Sequence, residues 1–360
     1  MVESASAPVM TDVARVAGVS HQTVSRVVNG SPHVSGPTRA RVLAAMEQLG
    51  YRRNAVARAL ATRRSGALGV ITFDTVLYGP VSTLYSVEQA ASTVGMGVSI
   101  AVVERISSDA VLRALGRLQD QYVEGVVALA TQQDAVEVLT AELRPVPTVF
   151  VGGVLGGGGA GEVATVPAIG IDQRGGAAAA TRHLLDLGHH TVHHLTGPAD
   201  WLDARWRVEG WRATLDAAGA PVPELEAGDW SARSGYAAMQ RLLAADPGLT
   251  AVFVGNDHMA LGALRALDEA GRRVPDDVSV VGFDDVPEAE YFRPPLTTVR
   301  QHFPEAGRRA VRLLLDLIRP GEAPATGPET GLELVPTELL VRRSTGPARR
   351  TTATPSPARR

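Results

Sequence analysis

The sequence predicts a small all-α head built around a helix-turn-helix, followed by an α/β body of two lobes with parallel sheets. Two short helices separated by a turn fit residues 11–29. From Ala67 onward apolar strand-like runs alternate with helical runs, and this alternation starts again after about residue 165. Because 360 residues exceed the size of one typical hydrophobic core, two or three domains are expected.

The head is predicted from a pattern close to the start of the chain. Val13, Ala14 and Ala17 repeat at helical spacing, Gly18 interrupts the pattern, and Ser20 restarts it as an N-cap. Two short helices joined by such a turn form a helix-turn-helix.

The second helix of this motif presents a polar face. Val24, Val27 and Val28 recur three and four residues apart and are expected to face inward. The side chains turned to solvent are then His21, Gln22, Ser25, Arg26 and Asn29. Such a row matches the edges of base pairs in the major groove, where Arg reads guanine and Gln reads adenine. The alternative is an ordinary solvated helix pair, because short motifs give false matches.

The outer boundaries of the head follow from capping signals. Val9 has no capping side chain, so the first helix is expected to start at Thr11 or to use a backbone alternative. A third helix is predicted after Ser35 as its N-cap, with Pro37 in the first turn and Gly50 at the end.

Charge is distributed unevenly along the chain. The whole chain carries a net charge of −3, whereas residues 1–66 carry +6 and residues 342–360 carry another +6. The body between them is therefore strongly acidic. A basic head on an acidic body is typical of a nucleic-acid-binding protein whose second part has a different task.

Composition also limits the cellular setting. Cysteine is absent, which excludes disulfides and thiolate metal sites. The first residues lack the positive flank and apolar core of an export signal, and no run of 18 apolar residues follows. We expect a cytoplasmic protein that has no membrane partner.

The body reads as two similar α/β lobes. Continuous apolar strands separated by helices indicate parallel sheets covered on both faces. Strands are predicted at 67–72, 97–103, 125–129, 191–196, 251–254 and 278–283, and helices near 81–94, 108–120, 173–187, 203–218, 232–245 and 257–271. Lobes of this kind bind ligands at the carboxyl ends of their strands, so the cleft between them is the natural site.

Polar and aromatic residues collect at these strand ends and helix starts. They are Asn256 and Asp257, Asp284 and Asp285, Trp230, and Arg207 between Trp206 and Trp211. Carboxylate, amide and guanidinium groups can satisfy the hydroxyls of a sugar, and an aromatic face can cover its C–H side. Each residue taken alone could equally be a surface cap or an ion-pair partner.

Several patterns point away from catalysis. Gly156, Gly158 and Gly161 match a dinucleotide fingerprint, but a strand-like run follows them instead of a helix, so a loop is expected. His189, His190, His193 and His194 suggest a metal site, and His189 and His193 have the spacing of metal ligands on a helix. Residues 191–195 read as a strand, however, which sends neighbouring side chains to opposite faces, so a structural role is expected. No nucleophile elbow or phosphate-binding loop occurs. We expect no enzyme activity, no cofactor and no metal.

Two basic segments flank the body. Residues 52–64 form an Ala-rich stretch too short to be a stable helix alone, so it is expected to fold against a partner; the alternative is a flexible basic linker. Residues 344–360 consist mainly of Thr, Pro, Ala and Arg without periodicity and are predicted to be a disordered tail.

The head carries the motifs of a known family. In order they are Asp12-Val-Ala, Ala17-Gly-Val-Ser20, Thr23-Val-Ser-Arg-Val-Val-Asn29, Val34-Ser35 and Gly50-Tyr51-x-x-Asn54-x-x-Ala57-x-x-Leu60. In these residues the sequence resembles the lac repressor family of transcription regulators, and the likeness extends from residue 9 to about residue 343. The family implies a sequence-specific regulator, here a repressor of a sugar-utilisation operon, that is released from a palindromic operator by a small effector.

The resemblance implies a domain plan. It places a helix-turn-helix domain at 1–53, a hinge helix at 54–65, and a bilobal body like that of periplasmic sugar-binding proteins at 66–343. Lobe 1 is expected at about 66–165 and 297–325 and lobe 2 at about 166–296 and 326–343, with crossings near 165, 296 and 326. Because the tail lacks the leucine heptads of tetrameric members, a homodimer is expected.

The resemblance also assigns DNA-binding positions. Two recognition helices of a dimer would enter successive major grooves of double-stranded DNA. The hinge helix would enter the minor groove and open a base step with Leu60. The implied DNA-binding residues are Ser20, His21, Gln22, Thr23, Ser25, Arg26, Asn29, His33, Ser35, Asn54, Ala57, Arg58 and Leu60.

The effector site is implied in the same way. Its residues would be Phe73, Leu77, Pro80, Arg207, Trp230, Asn256, Asp284 and Gln301. The stretches 228–232 and 256–262 resemble the galactoside-responsive branch of the family most closely, so a galactoside is the expected sugar effector. That branch carries an aspartate where this chain has Gly152, which removes one polar contact.

Three alternatives stay open on the sequence. The same scaffold could sense a nucleobase or nucleoside, or it could use its ligand as a co-repressor. The chain could also be a plain sugar-binding or enzymatic domain with an incidental basic head.

Overall fold

The computed structural model describes residues 8–28, 30–51, 64–73, 76–143, 146–152, 167–319 and 331–349. The chain divides into two compact units, Met1–Ser65 and Gly66–Arg360. Within the described ranges, no helix has both the length and the apolar character needed to cross a bilayer.

In residues 8–28 and 30–51 the head has three helices around a core of their own. Its helices are α1 (Met10–Ala17), α2 (His21–Val28) and α3 (Gly36–Leu49). The helix-turn-helix prediction is therefore confirmed. The buried side chains, predicted from their spacing or contributed by α3, are Val13, Ala14, Ala17, Val24, Val27, Val42 and Ala45.

Helix α1 begins one residue earlier than Thr11. The missing cap at Val9 is replaced from within the helix, because the Val9 amide donates a hydrogen bond to Asp12 Oδ2 over 3.0 Å. Gly18 then turns the chain with a φ of 63°, a left-handed conformation that suits glycine. Ser20 caps α2, since its Oγ accepts a hydrogen bond of 3.1 Å from the Thr23 amide.

The first lobe of the body contains one six-stranded parallel sheet. Its strands are β1 (Ala67–Phe73), β2 (Gly97–Val103), β3 (Val126–Ala130), β4 (Thr148–Gly152), β5 (Ala168–Ile171) and β11 (Leu332–Val335). They pair in the order β11-β5-β4-β3-β1-β2. The helices of this lobe are α4 (Tyr78–Thr93), α5 (Ser108–Asp120), α6 (Gln133–Glu142) and α11 (Phe303–Ile318).

The second lobe repeats this arrangement. Its sheet has the order β12-β10-β9-β8-β6-β7, in which only the β10–β12 pairing is antiparallel. The strands are β6 (His193–Thr196), β7 (Glu226–Ala227), β8 (Ala251–Val254), β9 (Ser279–Asp284), β10 (Thr297–Gln301) and β12 (Thr337–Leu340). Its helices are α7 (Gln173–Asp186), α8 (Leu202–Ala218), α9 (Ala232–Ala245) and α10 (Asp257–Glu269), with a short 3₁₀ helix at Pro287–Tyr291.

The crossings between the lobes lie later in the chain than predicted. Strand β5 belongs to the first sheet and α7 to the second lobe, so the first crossing is near 172 and not 165. Strand β10 is in the second sheet and α11 packs on β4, which moves the second crossing from 296 to about 302. The third lies between β11 and β12, near 336 instead of 326.

The predicted disorder of the tail is wrong for residues 344–349. Ser344 is fully buried and its Oγ donates to the Val280 carbonyl over 2.6 Å. His183 contacts Thr345 Oγ1 at 3.0 Å, and His189 Nε2 lies 3.1 Å from the Gly346 carbonyl. Side-chain hydrogen bonds therefore hold this segment on the second lobe without helical or strand periodicity. Residues 350–360 lie outside the described part of the chain.

Candidate functional site

The main cleft of the body lies between its two lobes, at the carboxyl ends of the strands. Its second-lobe wall contains Gln173, Trp201, Asp203, Arg207, Trp230, Asn256, Asp284 and Gln301. Its first-lobe wall contains Leu77, Tyr78, Gly79, Pro80, Thr83, Leu129, Thr131, Val151, Gly152, Ile171 and Phe303. One wall is thus rich in charged and amide groups, and the other is mainly apolar.

A chain of hydrogen bonds runs through the polar wall, and an ion pair closes it into a ring. Arg207 Nε donates to Gln173 Oε1 over 2.9 Å, and Gln173 Nε2 donates to Gln301 Oε1 over 2.8 Å. Gln301 Nε2 in turn donates to Asp284 Oδ1 over 2.7 Å, and Arg207 Nη2 lies 3.6 Å from the same oxygen. Because Gln173 and Gln301 lie beside two of the interlobe crossings, this ring connects the polar wall to the segments that join the lobes.

Aromatic rings enclose the guanidinium of Arg207. Its Cζ lies 3.9 Å from the ring centroid of Phe283 and 5.3 Å from that of Trp230. Trp230 meets Trp201 edge to face at 5.7 Å between centroids. The indole of Trp230 is therefore fixed at the cleft, where a flat apolar ligand face could rest on it.

Burial sets the protonation behaviour of the polar wall. Burial raises the pKa of Asp284 to about 6, although Arg207 and the Gln301 amide act in the opposite direction. Asp257, which the sequence also suggested, is fully buried and is not part of the cleft lining. Burial raises its pKa well above the usual value, and the nearby Asp284 carboxylate adds to this. Burial lowers the pKa of Arg207, against the attraction of Asp284.

Two cleft residues have unusual backbone geometry. Trp230 has a φ of 73° and Asp284 a φ of 113°, both in the left-handed region that disfavours side chains. Asn256 supports the first of these, because its Nδ2 donates to the Trp230 carbonyl over 3.2 Å and its Oδ1 caps α10 at the Met259 amide. Strain of this kind concentrates at functional sites, where the surrounding structure compensates for it.

A clasp formed by residues 131–133 and 200–205 joins the lobes beside the cleft. The Leu202 amide donates to the Thr131 carbonyl over 2.9 Å, and Gln132 Nε2 donates to Asp200 Oδ2 over 2.9 Å. Leu202, at the start of α8, is buried in the core of the first lobe. The clasp therefore holds the two cleft walls together.

The head presents a separate candidate surface on α2 and the start of α3. His21, Gln22 and Arg26 are exposed, as the helical pattern predicts. A groove beside them is lined by Val19, Ser20, Thr23, Arg26, His33, Val34, Ser35, Thr38 and Arg41. Hydroxyl, imidazole and guanidinium groups are thus collected on one open face, which suits contact with bases and phosphates.

Two family models match the chain. Residues 9–54 match the model described as bacterial regulatory proteins, lacI family. Residues 181–345 match the model of a periplasmic binding protein-like domain.

Individual relatives match nearly the whole chain. The lactose operon repressor of Escherichia coli is 38% identical over 347 residues, which cover 96% of this chain and 92% of the repressor. The chain belongs to the lacI family. The HTH-type transcriptional regulator CelR of Thermobifida fusca is 37% identical over 322 residues, covering 86% of this chain and 92% of CelR.

Solved structures of the lacI family show the same fold. The lac repressor dimer bound to operator and the anti-inducer ONPF matches with a TM-score of 0.82 at 36% identity, over 95% of this chain and 100% of that one. The CelR–cellobiose complex matches with a TM-score of 0.68 at 36% identity, over 94% and 99% of the two chains. The predicted family and fold are confirmed, and the chain is a DNA-binding transcription regulator of this family.

The structure brings together most of the predicted effector residues. Leu77, Pro80, Arg207, Trp230, Asn256, Asp284 and Gln301 all line the cleft. Phe73 does not, because its side chain packs into the first-lobe core with Ile71 and Val103. Phe73 is the last residue of β1, at the carboxyl end of a strand where site residues are expected, but its side chain is buried in the core of the first lobe.

The predicted DNA-binding residues divide in a similar way. Ser20, Thr23, Arg26, His33 and Ser35 share one groove, while His21 and Gln22 are exposed next to it on α2. Ser25 is partly buried on the same helix. Asn29, Asn54, Ala57, Arg58 and Leu60 lie outside the described residues.

Several cleft residues were not predicted from the sequence. Gln173, Trp201 and Asp203 stand at the starts of helices, which is the same signal that identified Asn256. Gly152 lines the first-lobe wall with a φ of 118°, and a Cβ there would lie 2.7 Å from the Ala130 carbonyl oxygen. The backbone at this position therefore disfavours the aspartate of the galactoside-responsive branch.

The histidines considered as metal ligands have structural partners. His189 Nδ1 lies 2.9 Å from Thr250 Oγ1, and His193 Nε2 lies 3.0 Å from Asp246 Oδ2. His194 is stacked on Phe253, with ring centroids 4.5 Å apart. The Gly-rich segment that contains Gly156, Gly158 and Gly161 lies outside the described residues.

Proposed function

We propose that this regulator is a homodimeric repressor of a sugar-utilisation operon that binds a palindromic operator and is released by a neutral sugar, with a galactoside as the first candidate. The polar wall of the cleft carries this proposal. It offers a fixed indole face beside carboxylate, amide and guanidinium groups, which is the combination that sugar recognition needs.

The relatives support a sugar effector without fixing which sugar. They include the lactose operon repressor and the ribose operon repressor of Escherichia coli, and CelR has been solved with cellobiose. The choice of a galactoside is supported by the sequence around Trp230 and Asn256. Gly152, in contrast, departs from the galactoside-responsive pattern. A different neutral disaccharide would keep the same mechanism.

Operator recognition is assigned to the exposed face of α2. Gln22 and Arg26 would reach base edges, and the hydroxyls of Ser20, Thr23 and Ser35 would contact phosphates. The proposal also includes a minor-groove contact, which is based on the sequence alone, by Asn54, Ala57, Arg58 and Leu60. Because the partner is DNA, we infer that the protein acts in the cytoplasm.

Dimerisation is proposed through the first lobe. Strand β2 is the edge strand of its sheet, and its outward residues Ile100 and Val102 are 51% and 45% exposed. Tyr85 and Val81 on α4 are also exposed. Apolar side chains on an unpaired sheet edge favour association with a second copy, and the operator-bound lac repressor is a dimer.

The cleft is proposed as a binding site and not a catalytic one. Asp285 is held by Arg300 at 2.7 Å and by Arg342 at 2.6 Å. It therefore does not face Asp284 as a second carboxylate across a scissile bond. Ligand binding would act instead through the lobes and residues 52–64 on the affinity for operator, provided that the ligand prefers the released conformation.

The effector class is tested by a thermal-shift screen of the purified protein with lactose, cellobiose, ribose, adenosine and guanine. We expect a disaccharide to raise the melting temperature, because a ligand that binds only the native state stabilises it. Stabilisation by adenosine or guanine alone would contradict the sugar effector. A lactose shift larger than the cellobiose shift would support the galactoside.

A further inference from the structure

The hydrogen-bonding capacity of the polar wall is distributed unevenly. Arg207, Gln173, Gln301 and Asp284 are bonded to one another. Asn256 is bonded to the Trp230 carbonyl and the Met259 amide. The residues that the sequence predicts as ligand contacts are therefore largely engaged within the protein.

Asp203 differs from these residues. It is the second residue of α8 and lines the cleft. Among the described residues its carboxylate has no hydrogen bond or ion pair, and Arg207 acts on it only through longer-range attraction. Asp203 is partly exposed, so a ligand in the cleft can reach its carboxylate. Partial desolvation at this position raises its pKa.

A second group in the cleft is also unsatisfied. Trp230 is 6% exposed, and its indole Nε1 has no hydrogen-bond partner within the described part of the chain. An unpaired buried donor is unfavourable, and such groups are rare in native structures. This donor is buried behind the cleft lining, so Asp203 is the group that offers an unpaired acceptor to the cleft among the described lining residues.

We propose that Asp203 is a specificity-determining residue of the effector site, which accepts hydrogen bonds from a neutral or amino sugar and excludes phosphorylated sugars. The hydroxyls of a polyhydroxylated ligand in the cleft can donate to the partly exposed carboxylate of Asp203. Two carboxylates, Asp203 and Asp284, face the single guanidinium of Arg207 in this lining. The phosphate of a phosphorylated sugar would add negative charge next to these two carboxylates, so its binding would be unfavourable. This inference rests on the proposed sugar effector.

A structural role for Asp203 gives a different expectation. As an acidic residue in the first turn of α8, it could stabilise the helix through the helix dipole. Neutralising it would then lower the stability of the ligand-free protein. A carboxylate that serves ligand binding gives the opposite sign, because its partial desolvation is offset only when ligand donates hydrogen bonds to it.

The test compares wild type, Asp203→Asn and Asp216→Asn. Asp216 is an exposed carboxylate on the same helix, so its variant controls for the change in net charge. Melting temperatures are measured without ligand and with lactose, cellobiose, galactosamine and galactose 6-phosphate, and affinities are measured by calorimetry for the sugars that bind.

We expect ligand-free Asp203→Asn to melt about 2–4 °C above wild type, and its affinity for the sugar that stabilises wild type to fall roughly tenfold to a hundredfold. Asp216→Asn should match wild type in both measurements. The inference is overturned if Asp203→Asn melts below wild type, if it keeps wild-type affinity, or if galactose 6-phosphate binds wild type more tightly than the neutral sugars. If none of these sugars stabilises wild type, the proposed effector class is overturned together with this inference.

Discussion

The two functional regions of this regulator treat their polar side chains in opposite ways. In the head, His21, Gln22 and Arg26 are exposed on α2, while the core that holds the helix together lies on its other face. In the cleft, Arg207 and Asp284 are buried and bonded into the same network that connects the lobes. If these residues have the proposed roles, a substitution in the head should change function without changing stability, whereas one in the cleft should change both.

The largest effect is expected for Asp284→Ala. It removes the Asp284 carboxylate, the ion-pair partner of the buried Arg207 guanidinium, a change that typically costs about 3–5 kcal/mol. We expect a markedly lower free energy of unfolding in urea together with loss of the sugar response, while the folded fraction still binds operator. Glu226→Ala, which breaks the exposed pair with Arg241, is the control and should cost less than about 1 kcal/mol. Equal losses in the two variants would contradict the coupling in the cleft.

The second effect is expected for Arg26→Ala in the head. Removing an exposed guanidinium from α2 should weaken specific operator binding by about 1–3 kcal/mol and relax base choice at one position. The melting temperature should stay near that of wild type, because Arg26 lies outside the buried core. Arg15→Ala on α1 is the control and should weaken binding to all duplexes alike. If Arg26→Ala also lowered the melting temperature clearly, its effect on operator binding could not be separated from an effect on the stability of the head.

A smaller effect is expected for Gln132→Ala in the clasp. The variant loses the hydrogen bond to Asp200, worth about 0.5–1.5 kcal/mol. We expect a small loss of stability and greater quenching of tryptophan fluorescence by acrylamide, because Trp201 and Trp230 line the cleft that the clasp holds closed. Gln240→Ala, which loses a bond to Tyr236 within the second lobe, should leave quenching unchanged. Identical quenching in both variants would show that the clasp does not restrain the cleft.

Local patterns predicted the elements well. Helix α9 occupies Ala232–Ala245 and α5 occupies Ser108–Asp120, as the apolar spacing indicated. The crossings were misplaced, because a short apolar strand such as β5 does not reveal which sheet it will join. That choice depends on pairing with β4 and β11, which are distant in sequence.

The sequence predicted those site residues that follow a strand and belong to a family motif, such as Asn256 after β8. Asp203 was missed because the start of α8 carries no such motif, and the missing partner of its carboxylate is visible only in three dimensions. Residues 344–349 were misjudged for a related reason. Their order comes from hydrogen bonds to His183, His189 and Val280, and such bonds leave no periodic pattern in the sequence.

The most direct test of the account is the dissociation constant for a palindromic duplex, obtained by in vitro selection and measured by fluorescence anisotropy with and without the sugar that most raises the melting temperature. We predict that one dimer binds each duplex, that affinity falls with rising salt, and that the sugar weakens operator binding by roughly fivefold to 150-fold. Equal affinity for a scrambled duplex at every salt concentration would contradict these predictions, as would operator binding that the sugar leaves unchanged or strengthens.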